Sequence, residues 1–302
     1  MSKKMKISVL TATYNRANKL KKLYESIVNN IDDSYEIEWL IMDDGSEDDT
    51  KNICTQFISK KGLTIKYYYQ HNQGKMQAIN NLVNYSTGDL IIECDSDDFF
   101  IDKSFFTIKQ MYEQNKNRKD IYAFLFLKQD QNGNNMGQDF KSKENTMFDL
   151  YFKHGETGEK AIVFIADIRK KYTYELENNE TFVTEARMYH KMDKNYKVIC
   201  ENKYIMVCEY QQDGYSKNIN KQFIKNPYGY YKYFYEILKD MDTKHILFLK
   251  RLYVVKHFIL FSYVTKQKCM GIAKNICDRL LITLMYVPGR IKSKHYKNVN
   301  LK

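Results

Sequence analysis

An α/β fold with a doubly wound, mainly parallel sheet and a helical, basic C-terminal extension is what this sequence predicts, on three observations. Through the first half, strand-like and helix-like segments alternate at the spacing that βαβ units produce. The strand-like segments are short, nearly continuous apolar runs, the pattern of strands covered on both faces. Each early run exits into a polar loop, and in such sheets ligands bind outside the strands' C-terminal ends.

Taken in order, residues 7–11, 38–42, 63–69, 90–94 and 121–127 read as strands. Between the first two, residues 19–30 place Leu20, Leu23 and Ile27 three and four apart, a helical stripe. Residues 47–59 and 75–85 are the next crossovers. The loops 11–16, 43–50, 70–75 and 95–98 are therefore expected along one edge of the sheet. Residues 130–160 are polar and turn-rich around Gln131-Asn132-Gly133-Asn134-Asn135 and read as an excursion. Strand character returns at 161–166, helix character at 182–192, and short strands are expected at 198–200 and 204–208. From Gln222 onward the chain reads helical and aromatic.

At 302 residues the chain can bury a full core, and with two prolines and 12 glycines it is neither collagen-like nor low-complexity. Six cysteines (Cys54, Cys94, Cys200, Cys208, Cys269, Cys277) include no CxxC pair, so neither a zinc framework nor a redox motif is indicated, and a reducing, cytoplasmic setting is expected. Met1 to Lys6 lead into the first strand without the apolar stretch of a secretory signal. The net charge of +11 is uneven. Residues 216–302 hold 18 Lys and Arg against 4 Asp and Glu, a balance of +14, whereas residues 1–215 hold 30 against 33, or −3. That asymmetry predicts an anionic partner for the extension, either a membrane surface or a nucleic acid.

The densest chemistry is Glu93-Cys94-Asp95-Ser96-Asp97-Asp98, with three carboxylates on the loop after an apolar run. Like charges this close are costly unless a cation neutralises them, and hard oxygen ligands suit Mg²⁺ or Mn²⁺ carrying a phosphorylated ligand. An isolated Asp-x-Asp is more often a solvated turn, so its neighbours decide. Asp43-Asp44-Gly45-Ser46-Glu47-Asp48-Asp49-Thr50 leaves a strand and opens a helix. Capping accounts for Ser46, Asp48 and Asp49 and leaves Asp43 and Asp44 as acceptors for a base N–H or a ribose hydroxyl. In Gln70-His71-Asn72-Gln73-Gly74-Lys75 the glycine permits close backbone approach, and Lys75 opposes the helix dipole until an anion such as a diphosphate relieves it. A solvated lysine fits that motif alone equally well, and His71 reads as a loop-stabilising residue.

Ser8-Val9-Leu10-Thr11-Ala12-Thr13-Tyr14-Asn15-Arg16, Asp43-Asp44-Gly45-Ser46, Asn72-Gln73-Gly74-Lys75 with Asn80, and Gly88-Asp89 leading into Asp95-Ser96-Asp97-Asp98 resemble, in that order, the nucleotide-sugar-binding half of family-two glycosyltransferases of the GT-A fold. The resemblance implies that the loop carrying Thr13, Tyr14 and Arg16 holds the base with Asp44. It places Lys75 at the diphosphate, Asp95 at the ribose or metal, Asp98 beside them at the donor, and Asp97 on the Mn²⁺ or Mg²⁺ ion. Thr184-Glu185-Ala186-Arg187-Met188-Tyr189-His190-Lys191-Met192 resembles the acceptor-side helix of inverting members, whose catalytic acid is often written Glu-Asp. Ala186 replaces the second acid, so the resemblance assigns the base to Glu185; spacing alone makes Glu185 an exposed residue pairing with His190 or Lys191. Lys153-His154-Gly155 to Lys160-Ala161, and Glu209-Tyr210-Gln211-Gln212-Asp213-Gly214-Tyr215-Ser216, resemble a bacterial subgroup that builds cell-surface or capsular polysaccharides.

The implied activity is inverting, metal-dependent transfer of a sugar from a nucleotide-diphosphate donor, UDP-linked, to a hydroxyl of a saccharide or lipid-linked saccharide. The resemblance covers residues 5–220. It divides the chain into a catalytic domain at 1–220, with 1–120 for the donor and 121–220 for the acceptor, and an extension at 221–302.

Within the extension, Asn226-Pro227-Tyr228-Gly229-Tyr230-Tyr231-Lys232-Tyr233-Phe234-Tyr235 interleaves aromatics with lysine, as nucleic-acid stacking surfaces do. Without a basic groove or an RNP-like strand, packed helix aromatics explain it better, and no nucleic acid is expected. Phe248, Leu252, Val255 and Ile259 form one stripe with Lys250 and His257 opposite; Ile272, Ile276, Leu280 and Leu284 form another beside Lys274 and Arg279. Neither reaches the ~18 apolar residues of a membrane span. Two readings stay open: helices packed on the catalytic domain, or a peripheral surface seeking anionic lipid on the inner face of the cell membrane. The rival activities are nucleotidyl or phosphosugar transfer, for which no Walker lysine loop or activated-phosphate signature is present, and nucleic-acid binding by the extension.

Overall fold

In the computed structural model, which describes residues 4–209 and 219–299, the described strands join one sheet. They are β1 (Met5–Thr13), β2 (Tyr35–Asp43), β3 (Leu63–Tyr69), β4 (Leu90–Glu93), β5 (Phe99–Phe100), β6 (Ile121–Gln129), β7 (Glu144–Asn145), β8 (Lys160–Ile165) and β9 (Lys197–Val207). Their order is β3-β2-β1-β4-β8-β6-β9-β5, with β7 on β9. The pairs among β3, β2, β1 and β4 are parallel, as is β6 with β9. Strand β8 enters antiparallel between β4 and β6, so that by paired residues the sheet is mainly parallel.

Helices α1 (Ala17–Asn29), α2 (Thr50–Gln56), α3 (Lys75–Tyr85), α4 (Ser104–Asn115) and the short α5 (Ala166–Arg169) accompany it. The continuous apolar runs are explained by two-sided cover. Ile7, Val9, Ile37, Trp39, Ile41 and Ile92 join one buried layer with Leu20, Leu23 and Ile27 of α1, Cys54 of α2, and Phe105 and Ile108 of α4. Alternate strand residues Leu10, Leu40 and Ile91 face the other way and are equally buried. On that side α3 packs on β1 and β2, burying Met76, Ile79 and Leu82.

Three local expectations change. Residues 47–59 are helical only over α2, because Asp48, rather than Ser46, accepts the Thr50 N–H at 3.0 Å; the Ser46 hydroxyl instead accepts the Asn15 N–H at 2.9 Å. The two short strands at 198–208 are one strand, β9, whose pairing with β6 shifts register between Phe126 and Lys128. Helix α4 was not anticipated, although Phe105, Ile108 and Met111 repeat every third position.

The chain divides into two compact units. The first carries the sheet with α1 to α5. The second comprises Met147–Gly155 with a π-helical turn at Asp149–Lys153, Tyr174–Asp193 with α6 (Glu185–Met192), and the helices α7 (Ile219–Lys225), α8 (Pro227–Asp240), α9 (Phe248–Thr265) and α10 (Ile276–Val299). Its core is aromatic: Tyr230 lies edge-on to Phe223 at 4.5 Å and stacks on Phe261 at 5.4 Å, and Phe234 stacks on His257 at 5.4 Å. His257 is thus buried among rings rather than on a polar face opposite the α9 stripe, and Phe248 of that stripe is 64% exposed. Packing of rings against α9 is what the aromatic run from Tyr228 to Tyr235 serves. No described helix is long and apolar enough to cross a membrane.

Candidate active site

The exit loops of β1, β2 and β3 are sewn together by side chains that the sequence marks as polar motifs. Asn15 adopts φ +52°, and its carboxamide oxygen accepts the Glu47 N–H at 2.8 Å. Asp43 accepts the Ser46 N–H at 2.8 Å through one oxygen and the Tyr67 hydroxyl at 2.7 Å through the other. Asp44, buried, accepts the Gln70 amide at 2.7 Å and the Gln73 N–H at 2.9 Å on Oδ1, and the Gly74 N–H at 2.8 Å on Oδ2. It therefore holds the loop that starts α3. Gly45, at φ +85°, lies so close to that loop that a Cβ would fall 2.9 Å from the Asn72 nitrogen. Thr13 is buried beside this junction with its hydroxyl unpartnered among the described residues, Tyr14 is 47% exposed, and Arg16 is half-exposed at the start of α1.

The acid loop after β4 contains three carboxylates in three different states. Asp95 is exposed and takes Lys75 at 2.7 Å. Desolvation works to raise its pKa, and the charges of Lys75 and Lys128 outweigh it and hold the group below the usual range. Asp98 is buried and paired with the Lys128 ammonium at 2.7 Å. Asp97 has no ion-pair partner within 4 Å among the described residues, and burial, then the neighbouring charges of Asp95 and Asp98, push its carboxyl up to about 6. Lys128, which also lies 3.7 Å from Glu159, is the residue that the sequence reading passed over. Burial opposes its charge, and Asp98 and Glu159 more than compensate. Its signal was present: it is the first charge after the apolar run of β6, at the same end of that strand as the acid loop it serves.

Asp97 with Asp95 suits a divalent cation. The charge of Arg16 opposes the rise in the Asp97 pKa, and a bound divalent cation would add to that opposition. Among the described residues no set of three His, Cys, Asp or Glu side chains converges as a cage. One or two carboxylates on a loop, with phosphate and water completing the shell, are the oxygen donors a divalent cation would use.

In the helical unit, Glu185 is half-buried at the first position of α6. The two partners expected from spacing have contacts of their own. His190 is buried, edge-on to Phe148 at 5.2 Å and stacked on Tyr233 at 5.5 Å, and Lys191 pairs with Glu175 at 2.5 Å. The other acids nearby in sequence are fasteners. Glu180 accepts the Tyr228 and Gly229 N–H groups, both at 2.7 Å, at the start of α8. Burial pushes its carboxyl up to about 7 against those two donors. Asp193 accepts the Met147 N–H at 3.1 Å and the Phe148 N–H at 2.8 Å. Of the Glu209-to-Ser216 motif, Glu209 pairs with Lys19 at 2.8 Å and Lys22 at 3.1 Å; the remainder lies outside the described residues.

A mainly parallel sheet with polar exit loops and an acid loop after its fourth strand is the arrangement of GT-A folds. The chain belongs to the glycosyl transferase family 2, whose pattern it matches over residues 8–172. An uncharacterised glycosyltransferase of Mycoplasma genitalium is 38% identical over 127 residues, 41% of this chain and 42% of its own length, so the chain spans under half of that relative. A GalNAc(5)-diNAcBac-PP-undecaprenol β-1,3-glucosyltransferase of Campylobacter jejuni is 24% identical over 79% of this chain and 75% of its own. Two solved structures share the fold. S. aureus TarS 1–349 with UDP-GlcNAc has a TM-score of 0.59 at 16% identity, covering 94% of this chain and 79% of its own. The mannosyltransferase PcManGT of Pyrobaculum calidifontis with GDP-Man and Mn²⁺ has a TM-score of 0.57 at 13% identity, covering 98% and 85%.

Proposed function

We propose that this chain is an inverting glycosyltransferase that moves a sugar from a UDP-linked donor to a hydroxyl of a saccharide or lipid-linked saccharide in bacterial surface-polysaccharide assembly. The observation that carries the proposal is Asp97, the one acid of its loop with no ion-pair partner within 4 Å among the described residues. The UDP-GlcNAc bound by TarS, the Mn²⁺ bound by PcManGT and the undecaprenol-linked acceptor in the Campylobacter relative's name support donor, metal and acceptor class respectively.

In this reading Asp97 and Asp95 hold Mn²⁺ or Mg²⁺, which when bound supplies charge neutralisation at the diphosphate. Thr13, Tyr14, Arg16 and Asp44 form the wall for the base, with the Thr13 hydroxyl offering a buried hydrogen-bonding group. Lys75 meets the departing diphosphate, and Lys128 keeps Asp98 in place behind the loop. Glu185 takes the acceptor proton as the hydroxyl attacks the anomeric carbon from the face opposite the leaving group. Residues 1–220 carry this chemistry and 221–302 serve it from the cytoplasmic face of the membrane.

Thermal unfolding of the full chain against a panel of nucleotide sugars, with and without Mn²⁺, tests the proposal. UDP-sugars should stabilise it only when Mn²⁺ is present, and release UDP slowly. Stabilisation by no nucleotide sugar under either condition would refute the donor assignment, and equal stabilisation without the ion would refute the metal.

A further inference from the structure

Helix α10 has two apolar rows, and only one of them is covered. Asp278, Ile282 and Gly289 face the packed side: Asp278 meets the Arg251 guanidinium at 2.5 Å, Ile282 is 2% exposed, and a Cβ on Gly289 would lie 2.6 Å from Ile259 of α9. The second row is Ile276, Leu280, Leu284, Val287 and Ile291, three and four residues apart and each 59–74% exposed. The rows are offset by two residues, about 200° around the helix. Pro288 adjoins the exposed side, where its missing N–H disturbs no packed contact. Along the edge of the exposed row stand Arg279 and Arg290, the latter 5.4 Å over the Tyr263 ring and 5.6 Å over Tyr286.

Five aliphatic side chains presented together are not an ordinary surface of a monomeric protein. We infer that this row is the part of the chain that enters an anionic lipid surface, with Arg279 and Arg290 at the headgroup level; this deepens the membrane reading above and rests on it. The chemistry selects lipid over other occupants. The row holds no aromatic residue on which a base could stack, as a nucleic-acid surface would use. The segment from 216 to 302 carries +14, so a second copy would bring like charge to the contact, whereas an anionic bilayer brings the complement. An aliphatic row with a basic edge is the pattern of a helix that lies in the interface plane.

Flotation of the full chain with phosphatidylcholine–phosphatidylglycerol vesicles, and with pure phosphatidylcholine, tests the inference. The chain should float with the anionic vesicles and be released by salt. Leu280→Gln/Leu284→Gln/Ile291→Gln should weaken that binding by roughly a hundredfold or more, since each lost aliphatic contact removes a substantial transfer energy. Arg279→Gln/Arg290→Gln should weaken it less, by about fivefold for each charge, and flatten its salt dependence. All three positions of the triple variant are exposed, so its Mn²⁺-dependent stabilisation by UDP should match the parent; that readout separates failure of this inference from failure of the donor assignment. Undiminished flotation of the triple variant overturns the inference. So does a parent chain that ignores vesicles but sediments as a dimer that the same variant dissociates, which would make the row a contact between copies.

Discussion

Acids crowd both units, behind strands in the sheet unit and beside helices in the helical one, and in both some of them are committed to backbone N–H groups. Asp43 and Asp44 hold the N–H groups of loops, and Glu180 and Asp193 hold the N–H groups of helix starts. Asp97 differs in having no ion-pair partner within 4 Å among the described residues; burial and then the charges of Asp95 and Asp98 raise its carboxyl against the charge of Arg16. Residue type and position along a motif therefore do not decide which carboxylate is available for chemistry. Prior commitment to backbone donors does, and that can be tested acid by acid.

The sharpest test lies in the helical unit. Glu185→Gln keeps size and helix propensity and removes the proton acceptor, so transfer should fall by roughly a hundredfold to ten-thousandfold while UDP affinity is unchanged. Glu180→Gln and Asp193→Asn should instead lower the melting temperature and leave turnover per folded molecule nearly intact, since each loses part of a hydrogen-bonded cap. Turnover retained in Glu185→Gln and lost in one of the other two would move the base to that residue.

The sheet unit offers a smaller, opposite pair. Asp97→Asn should weaken Mn²⁺-dependent UDP binding by about tenfold or more in calorimetry, with no loss of stability, because it removes a like charge from Asp95 and Asp98. Asp44→Asn leaves only one acceptor oxygen for three donors and should destabilise by about 1–3 kcal/mol. If Asp97→Asn proved the more destabilising of the two, Asp97 would be a fastener as well, and the comparison between claimed and unclaimed acids would fail.

How far the sequence carried these assignments varies with the kind of physics. Strands were legible because cover on both faces imposes continuous apolar runs, and β3 and α3 begin and end where periodicity places them. Helix α4 was passed over although Phe105, Ile108 and Met111 repeat like the α1 stripe, because Phe106 and Thr107 between them blur the amphipathic contrast. The acid motifs told where carboxylates gather at the sheet edge. They could not tell that Asp98 is spent on Lys128, since that pair joins a loop residue to a strand residue thirty positions on. Nor could spacing show that His190, drawn on a wheel beside Glu185, turns into a cluster of rings. The α10 rows were half legible: the Ile276, Leu280, Leu284 periodicity is plain, but which of two apolar faces meets α9 depends on Gly289 and Ile259 in contact.

The smallest effect expected comes from one buried histidine of the helical unit. His190 is buried against Phe148, Phe152 and Tyr233, and burial lowers its pKa from 6.5 to about 3. A histidine held neutral in the fold stabilises fully above its unfolded pKa, and that stability drains away as pH falls from 6.5 towards 3. Glu38, buried in the sheet unit, behaves differently. Desolvation works against its charge, but Ser8, Thr87 and Lys6 outweigh it and hold its pKa below 4.5, so its contribution is intact until pH falls past that value. Between pH 6.5 and 4.5 His190 should therefore soften the helical unit, opposed there by Glu180, whose raised carboxyl gains stability as pH falls from about 7. From pH 7 to 5.5 the cost at His190 is about 1 kcal/mol. With the opposing carboxyl removed by Glu180→Gln, hydrogen exchange should show it as faster exchange in α6 and α8. His190→Leu, neutral at every pH, should remove the difference; a slope as steep in the variant as in the parent would place the titrating group elsewhere.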